Sequence, residues 1–188
     1  PTLIKPPLPS APQEETYRAD IEAHILTSAY PPQHPINYFP LQRELGEHMR
    51  GVLLCWLLEV HQKYRLTNDT FYLTVRLLDS FLRVEEVSRG RLQLVGVTAM
   101  WIAAKYQETY QVPKLTFVVV VDNAYRAADI LNMESKILLV TGFSLFVAPS
   151  PLYYLDILQY RAQLSSKDYA LACYLLEATA FDLNFQRF

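Results

Sequence analysis

The chain has 188 residues, enough for one ordinary domain or one and a half small ones. Hydrophobic residues make up 51% of it, which excludes disorder on composition for most of the length. The net charge of −2 argues against a nucleic-acid or anionic-membrane partner, both of which need a basic face.

Proline sets the organisation. Nine of the twelve prolines lie between Pro1 and Pro40. The first fifteen residues read as an extended arm, because fixed φ and missing N–H groups prevent regular pairing. A short helical segment from about Thr16 to Tyr30 follows and ends at Pro31-Pro32. No proline occurs between Leu41 and Val112, and the apolar spacing there is helical throughout. The spacing predicts helices from about Leu41 to Arg65, from Asn68 (as N-cap) to Leu82, and from near Ser88 to Thr109. The valine run in TFVVVVDNAY favours strand on propensity, but its shortness between helices predicts a brief buried helix. A fifth helix is expected from Arg126 to Thr141, stopped by Gly142 at C′. Ser150-Pro151 restarts the helical pattern, and Ser165 with Asp168 has the spacing of a capping box. The fold class expected is all-α. Residues 1–40 form the arm and N-terminal helix, 41–145 a five-helix unit, and 149–188 the incomplete start of something further.

No secretory signal stands at the start, and apolar runs such as Val52 to Leu58 are far too short to cross a bilayer. Cys55 and Cys173 sit in apolar helical text without metal or redox spacing, so two buried thiols in a reducing, intracellular compartment are expected.

Four charged residues fall on apolar stripes. Arg50 shares a face with Leu54, Leu57 and His61; Asp79 is in register with Tyr72, Val75 and Leu82. Lys105 follows Leu94, Val97 and Trp101, and Glu134 sits among Ile130, Ile137 and Leu138. A buried charge must be paired or must meet a partner's polar groups. Two cations and two anions permit two pairs, against the alternative that each side chain snorkels out at a stripe edge. On a wheel of about 100° per residue, the first helix carries two apolar arcs: Leu54, Leu57 and Leu58 on one flank, and Met49, Val52, Leu53, Trp56 and Val60 on the other. That width fits a central helix buried on all sides, and equally a docking groove bordered by Glu59.

The segments MRGVLLCWLLEVHQKYRL, TFYLTVRLLDSFL and SRGRLQLVGVTAMWIAAKYQETY resemble the cyclin box, and A/B-type (mitotic) cyclins in particular. The similarity continues through FVVVVDNAY, ILNMESKIL and APSPLYYL, from about Thr16 to Asp182. The five positions that define the box correspond here to Arg50, Asp79, Leu94, Lys105 and Glu134. The resemblance implies a regulatory, non-catalytic subunit of a cyclin-dependent protein kinase, acting in nucleus and cytoplasm to control cell division, with no cofactor or metal. It implies that Arg50 and Asp79 form a structural ion pair. Lys105 and Glu134, with Ile102, Tyr106, Leu138, Phe143 and Leu145, would receive the kinase's mobile regulatory helix, joined by Tyr17 and Ile21 of the N-terminal helix. Met49, Val52, Leu53, Trp56, Leu92 and Gln93 would line a patch for Arg-x-Leu peptides, with Glu59 meeting the basic residue, so the resemblance favours the groove. The chain departs from the family at Cys55, where most relatives carry aspartate, and at Gln107, where glutamate is usual. It also stops two helices into the second cyclin-type fold.

Three rival functions would each demand a feature of the sequence. A transcription-factor-like cyclin fold would need a basic face, and the densest basic cluster is Arg89 with Arg91. An enzyme would need a phosphate loop, a zinc-binding histidine pair or a nucleophile elbow, and the sequence offers none. A non-activating scaffold would have no use for Lys105 and Glu134.

Overall fold

The structure is a computed structural model that describes Tyr17, Asp20, Ala23 and residues 37–110, 112–145 and 150–183. Seven α-helices run through residues 37–183, with no strand among the described residues. Tyr17, Asp20 and Ala23 are also helical and belong to the expected N-terminal helix. The expected proline-rich arm and the rest of that helix lie outside the described residues.

The order is α1 (Glu47–Lys63), α2 (Asn68–Leu82), α3 (Leu92–Gln107), α4 (Lys114–Val120), α5 (Ala127–Val140), α6 (Pro151–Ala162) and α7 (Ser166–Thr179). α3 is the centre, and α1, α2, α4 and α5 all pack against it. Every residue of α3 from Leu94 to Ala104 is buried, as its nearly uninterrupted apolar text requires. Each large side chain buried there stabilises the fold by about 1.5–3 kcal/mol. The helix surrounded on all sides is therefore α3 and not α1, whose Val52, Cys55 and Glu59 are exposed. α1 approaches α3 closely at Gly96, where a Cβ would lie 3.0 Å from the Leu53 methyls.

Helix ends follow local chemistry. The expected start of α1 at Leu41 is six residues early, because Gln42 is taken up elsewhere. Buried, its amide donates to the carbonyls of Leu82 and Glu85, both at 2.7 Å, and accepts from Val87 N–H at 2.9 Å. Residues 42–46 are thus a strap across the end of α2 rather than a helical turn. The N-cap of α2 is Thr67, one residue before the expected Asn68. Glu108, just past α3, accepts from Thr67 N–H at 2.7 Å and from the hydroxyls of Thr67 and Thr70 at 3.1 and 2.6 Å. At the end of α5, Gly142 (φ +60°) donates to Leu139 O at 3.1 Å and Phe143 to Leu138 O at 2.8 Å, a complete Schellman motif. Ser150 Oγ accepts from Leu152 N–H at the start of α6, and Ser165 Oγ from Asp168 N–H at the start of α7. The valine run is helical, as α4.

Arg50 and Asp79 are buried, at 2% and 1% exposure, and bind through two parallel bonds. Nε donates to Oδ1 at 2.8 Å and Nη2 to Oδ2 at 2.7 Å. The rest of the guanidinium donates to the carbonyls of Phe181 and Ala180, each at 3.0 Å, beyond the end of α7. Tyr38, fully buried, donates its hydroxyl to Asp79 Oδ1 at 2.7 Å. Burial, and next the charge of Asp79, push the Tyr38 phenol well above its ordinary pKa, so it remains a donor. Burial alone would lower the Arg50 pKa, but the hydrogen bonds to Asp79 and its charge outweigh that and raise it.

Asp79→Ala leaves the guanidinium buried without its counter-charge and should cost about 3–5 kcal/mol. Tyr38→Phe removes one hydrogen bond to a charged group and should cost roughly 1.5–3 kcal/mol. Denaturant midpoints of the two variants test this order; a negligible shift for Asp79→Ala would show that the pair does not hold the fold.

His61 generates a second prediction. It is buried against Phe71, ring centroids 5.7 Å apart, and its Nε2 lies 3.0 Å from Thr67 O. A carbonyl can only accept, so Nε2 carries the proton, and Nδ1 is a buried acceptor without a partner among the described residues. Burial pushes the imidazole pKa down, against the opposing pull of the Thr67 carbonyl and the charges of Glu177 and Glu108. The unfolded chain therefore binds the proton more tightly than the native state. Stability from the neutral ring is present above the ordinary histidine value of about 6.5 and is lost as pH falls from there through the lower folded value. Urea midpoints measured between pH 7.5 and 5.5 should fall less steeply for His61→Gln than for the parent chain; parallel curves would refute the assignment.

Candidate functional site

The second pair of charges joins neighbouring helices. Lys105, near the end of α3, forms an ion pair with Glu134 in the middle of α5. The Lys105 ammonium lies 3.9 Å from the centroid of the Trp101 ring, one turn back on α3, so its stem is held down while its head stays at the surface. The lysine side chain is 32% exposed and the glutamate 14%, so the pair sits at the rim of the core and not in it. Burial pulls the Lys105 pKa below its ordinary value. Each partner keeps unused capacity: the ammonium has three donors and the carboxylate two acceptor oxygens, and one of each serves their mutual bond. The arrangement can offer both a donor and an acceptor to an incoming main chain.

The apolar side chains that flank this pair in sequence on α3 and α5, and in the turn after α5, differ in exposure. Tyr106 is exposed beside Lys105, Leu138 and Leu145 are half-buried, and Phe143 is 65% exposed. Phe143 also has φ +57°, a conformation that costs a bulky residue about 1–2 kcal/mol. The same residue's N–H closes the Schellman motif at the end of α5, so the cap holds the backbone while the phenyl ring stands in solvent. Ile102, expected to grip a partner, is 2% exposed and backs the surface instead of forming it. Tyr17 is exposed, whereas Ile21 lies outside the described residues. Leu131, which the sequence reading did not single out, shares a face of α5 with Glu134 and Leu138 and is 40% exposed. Its i, i+3, i+7 spacing with those two residues was the available signal.

The outer arc of α1 is stepped. Val52 is 56% exposed, Met49 and Trp56 are half-buried against the core, and Glu59 is exposed one turn beyond Trp56. Leu53 and Leu92 are buried and Gln93 is half-buried at the start of α3. Val60, read as part of this arc, is buried. Cys55, expected in the core, is exposed beside Trp56, and Cys173 is half-buried on α7. The error arose from the apolar text around Cys55: a thiol flanked by leucines and a tryptophan reads as core, yet helical rotation turns it outward between the two arcs.

The family described as the cyclin N-terminal domain matches residues 21–146, which take in all of α1 to α5. The chain belongs to the cyclin family. It is 43% identical over 141 residues to the G2/mitotic-specific cyclin-B2 of Anguilla japonica, an alignment covering 75% of this chain and 36% of that one. Against the G2/mitotic-specific cyclin-B of Patella vulgata it is 42% identical over 148 residues, covering 79% and 36%. Against the human G2/mitotic-specific cyclin-B2 the identity is 39% over 142 residues, covering 76% and 35%. The chain thus spans little more than a third of the length of these curated relatives. Among solved structures, a viral cyclin from herpesvirus saimiri superposes with a TM-score of 0.68 at 18% identity, covering 87% of this chain and 68% of that one. That likeness establishes the all-helical cyclin fold. It also extends the correspondence beyond the five helices of the matched domain.

Proposed function

We propose that this cyclin is a non-catalytic activating subunit of a cyclin-dependent protein kinase, working inside the cell in the control of division. The observation that carries the proposal is the Lys105–Glu134 pair, half-desolvated over Trp101, on two helices that also carry the exposed Tyr106 and the half-buried Leu138. An ion pair at this depth gives little net stability, because its desolvation offsets most of its attraction. Its residual donors and acceptors suit a partner backbone, and the apolar side chains of the same two helices suit an amphipathic helix. The kinase's mobile regulatory helix and the loop before it supply that combination, with Tyr17 and Ile21 completing the contact. A surface that binds the active position of that helix better than the inactive one shifts the kinase's population toward activity by the difference in affinity. It thereby completes the kinase's own lysine–glutamate pair.

The outer arc of α1 is the proposed second site, a patch for Arg-x-Leu segments of substrates or inhibitors. Val52 and the open sides of Met49 and Trp56 would take the leucine, above a floor of Leu53 and Leu92, with Gln93 at the edge. Glu59 would meet the arginine. No part of the reading needs a metal, cofactor or nucleic acid.

Lys105→Ala and Glu134→Ala should each weaken the complex with a cyclin-dependent kinase by tenfold or more in calorimetry, with helix content unchanged by circular dichroism. If both variants bind as tightly as the parent, the α3–α5 surface is not the kinase interface.

Trp56→Ala should leave activation toward a minimal peptide nearly unchanged while raising KM for substrates that carry an Arg-x-Leu segment. Glu59→Ala should do the same more mildly, with a loss that shrinks at high salt. An equal fall on both substrates, together with a lower melting temperature, would assign Trp56 to the core and remove the docking patch.

A further inference from the structure

α7 lies over the junction of α1 and α2 and leaves a cavity of about 250 Å³ there, away from both proposed surfaces. Leu58 and His61 of α1, Phe71 and Tyr72 of α2, and Tyr174 and Glu177 of α7 form most of its wall. The volume falls below the range of about 300–1,000 Å³ usual for small-molecule sites and suits a single large side chain.

The chemistry of the wall selects which side chain. Glu177 is the one charged residue in the lining, is half-buried, and has no ion-pair partner among the described residues. Its charge reaches both His61 and Tyr72, raising the pKa of each against or alongside the effect of burial. The neutral His61 adds no competing positive charge, since its Nε2–H is spent on Thr67 O. Phe71, Tyr72 and Tyr174 supply aromatic surface, and Leu58 supplies aliphatic surface. An unpaired carboxylate beside aromatic rings attracts a flat, weakly hydrated cation with several N–H donors, and its apolar stem is welcome along the same wall.

We propose that this cavity is a docking pocket for an arginine side chain of a partner peptide, with the guanidinium held between the aromatic wall and the Glu177 carboxylate. The pocket opens on the α7 side of α1, whereas Val52 and Trp56 face outward elsewhere on that helix. Occupation is therefore independent of the kinase surface and of the Arg-x-Leu patch.

Phenylguanidine is the probe, titrated into the protein and followed by backbone amide chemical shifts; phenylurea, of the same shape without charge, is its control. Saturable shifts should cluster at His61, Phe71 and residues 170–177, at least tenfold weaker with phenylurea and with Glu177→Gln. A capped Gly-Arg-Gly peptide should displace the probe, and Gly-Ala-Gly should not. Equal binding of phenylurea, undiminished binding to Glu177→Gln, or shifts scattered over the surface would overturn the proposal, as would equal displacement by Gly-Lys-Gly. Absence of any saturable shift would mean that the cavity holds solvent only. The phenylurea comparison decides the matter even if Glu177→Gln lowers the melting temperature.

Discussion

The guanidinium of Arg50 is the constraint on which the rest of the fold depends, because four separate stretches of chain meet at it. It lies on α1, grips Asp79 of α2 with two bonds, and closes on the carbonyls of Ala180 and Phe181 past the end of α7. Tyr38, ahead of α1, reaches the same carboxylate. An ion pair at this depth would be a net cost without such saturation, since each ion sheds a hydration shell worth several kcal/mol. Here the guanidinium makes four bonds within 3.0 Å and the carboxylate accepts three, so little of the lost hydration goes unreplaced. Apolar residues of the same volume could fill the space. They could not fix the register of α1, α2, the segment before α1 and the chain after α7 relative to one another.

The two ion pairs of this chain therefore do different work, and burial separates them. Arg50–Asp79 is enclosed and saturated from within, which makes it a structural joint. Lys105–Glu134 is left half-open, with bonding capacity to spare and the exposed Tyr106 next to Lys105 in the chain. An internal joint and an unfinished one can be told apart by counting which donors and acceptors still lack partners.

Much of this was legible in the sequence, for reasons that can be named. The order of helices followed from apolar spacing and from Gly142, Pro151 and Ser165, whose local chemistry is the same in a peptide as in a protein. The four charges could be singled out because a charge on an apolar stripe is rare enough to need a partner. What sequence could not supply was anything settled by long-range contact. Gln42 looks like an ordinary first-turn residue until the end of α2 claims its amide, and Thr67 displaces Asn68 as the cap because Glu108 arrives from forty-one residues away. Cys55 reads as core for a different, local reason: its neighbours are apolar, but rotation about the helix, not neighbourhood in sequence, decides its exposure. The bonds from Arg50 to Ala180 and Phe181 join residues about 130 positions apart, and no local pattern announces them.

α1 shows why an apolar circumference is not by itself evidence of burial. Its text is apolar over nearly the whole wheel, yet α2 and α3 cover only part of that circumference. On the covered side, contact is as close as the backbone permits, since Gly96 lets Leu53 lie where any Cβ would crowd it. That approach carries Leu53 beneath the surface and brings Val52 and the flank of Trp56 to the outside as its geometric remainder. A third side, at Leu58 and His61, is half-covered by α7 and holds the cavity. Exposed apolar surface lowers solubility and adds nothing to stability, so a helix with enough polar alternatives at Val52 and Trp56 has no reason of its own to keep them. The surplus beyond what α3 can bury is the part of α1 that the fold leaves uncovered, and the close approach at Gly96 is what leaves Val52 exposed and Trp56 half-buried beside it.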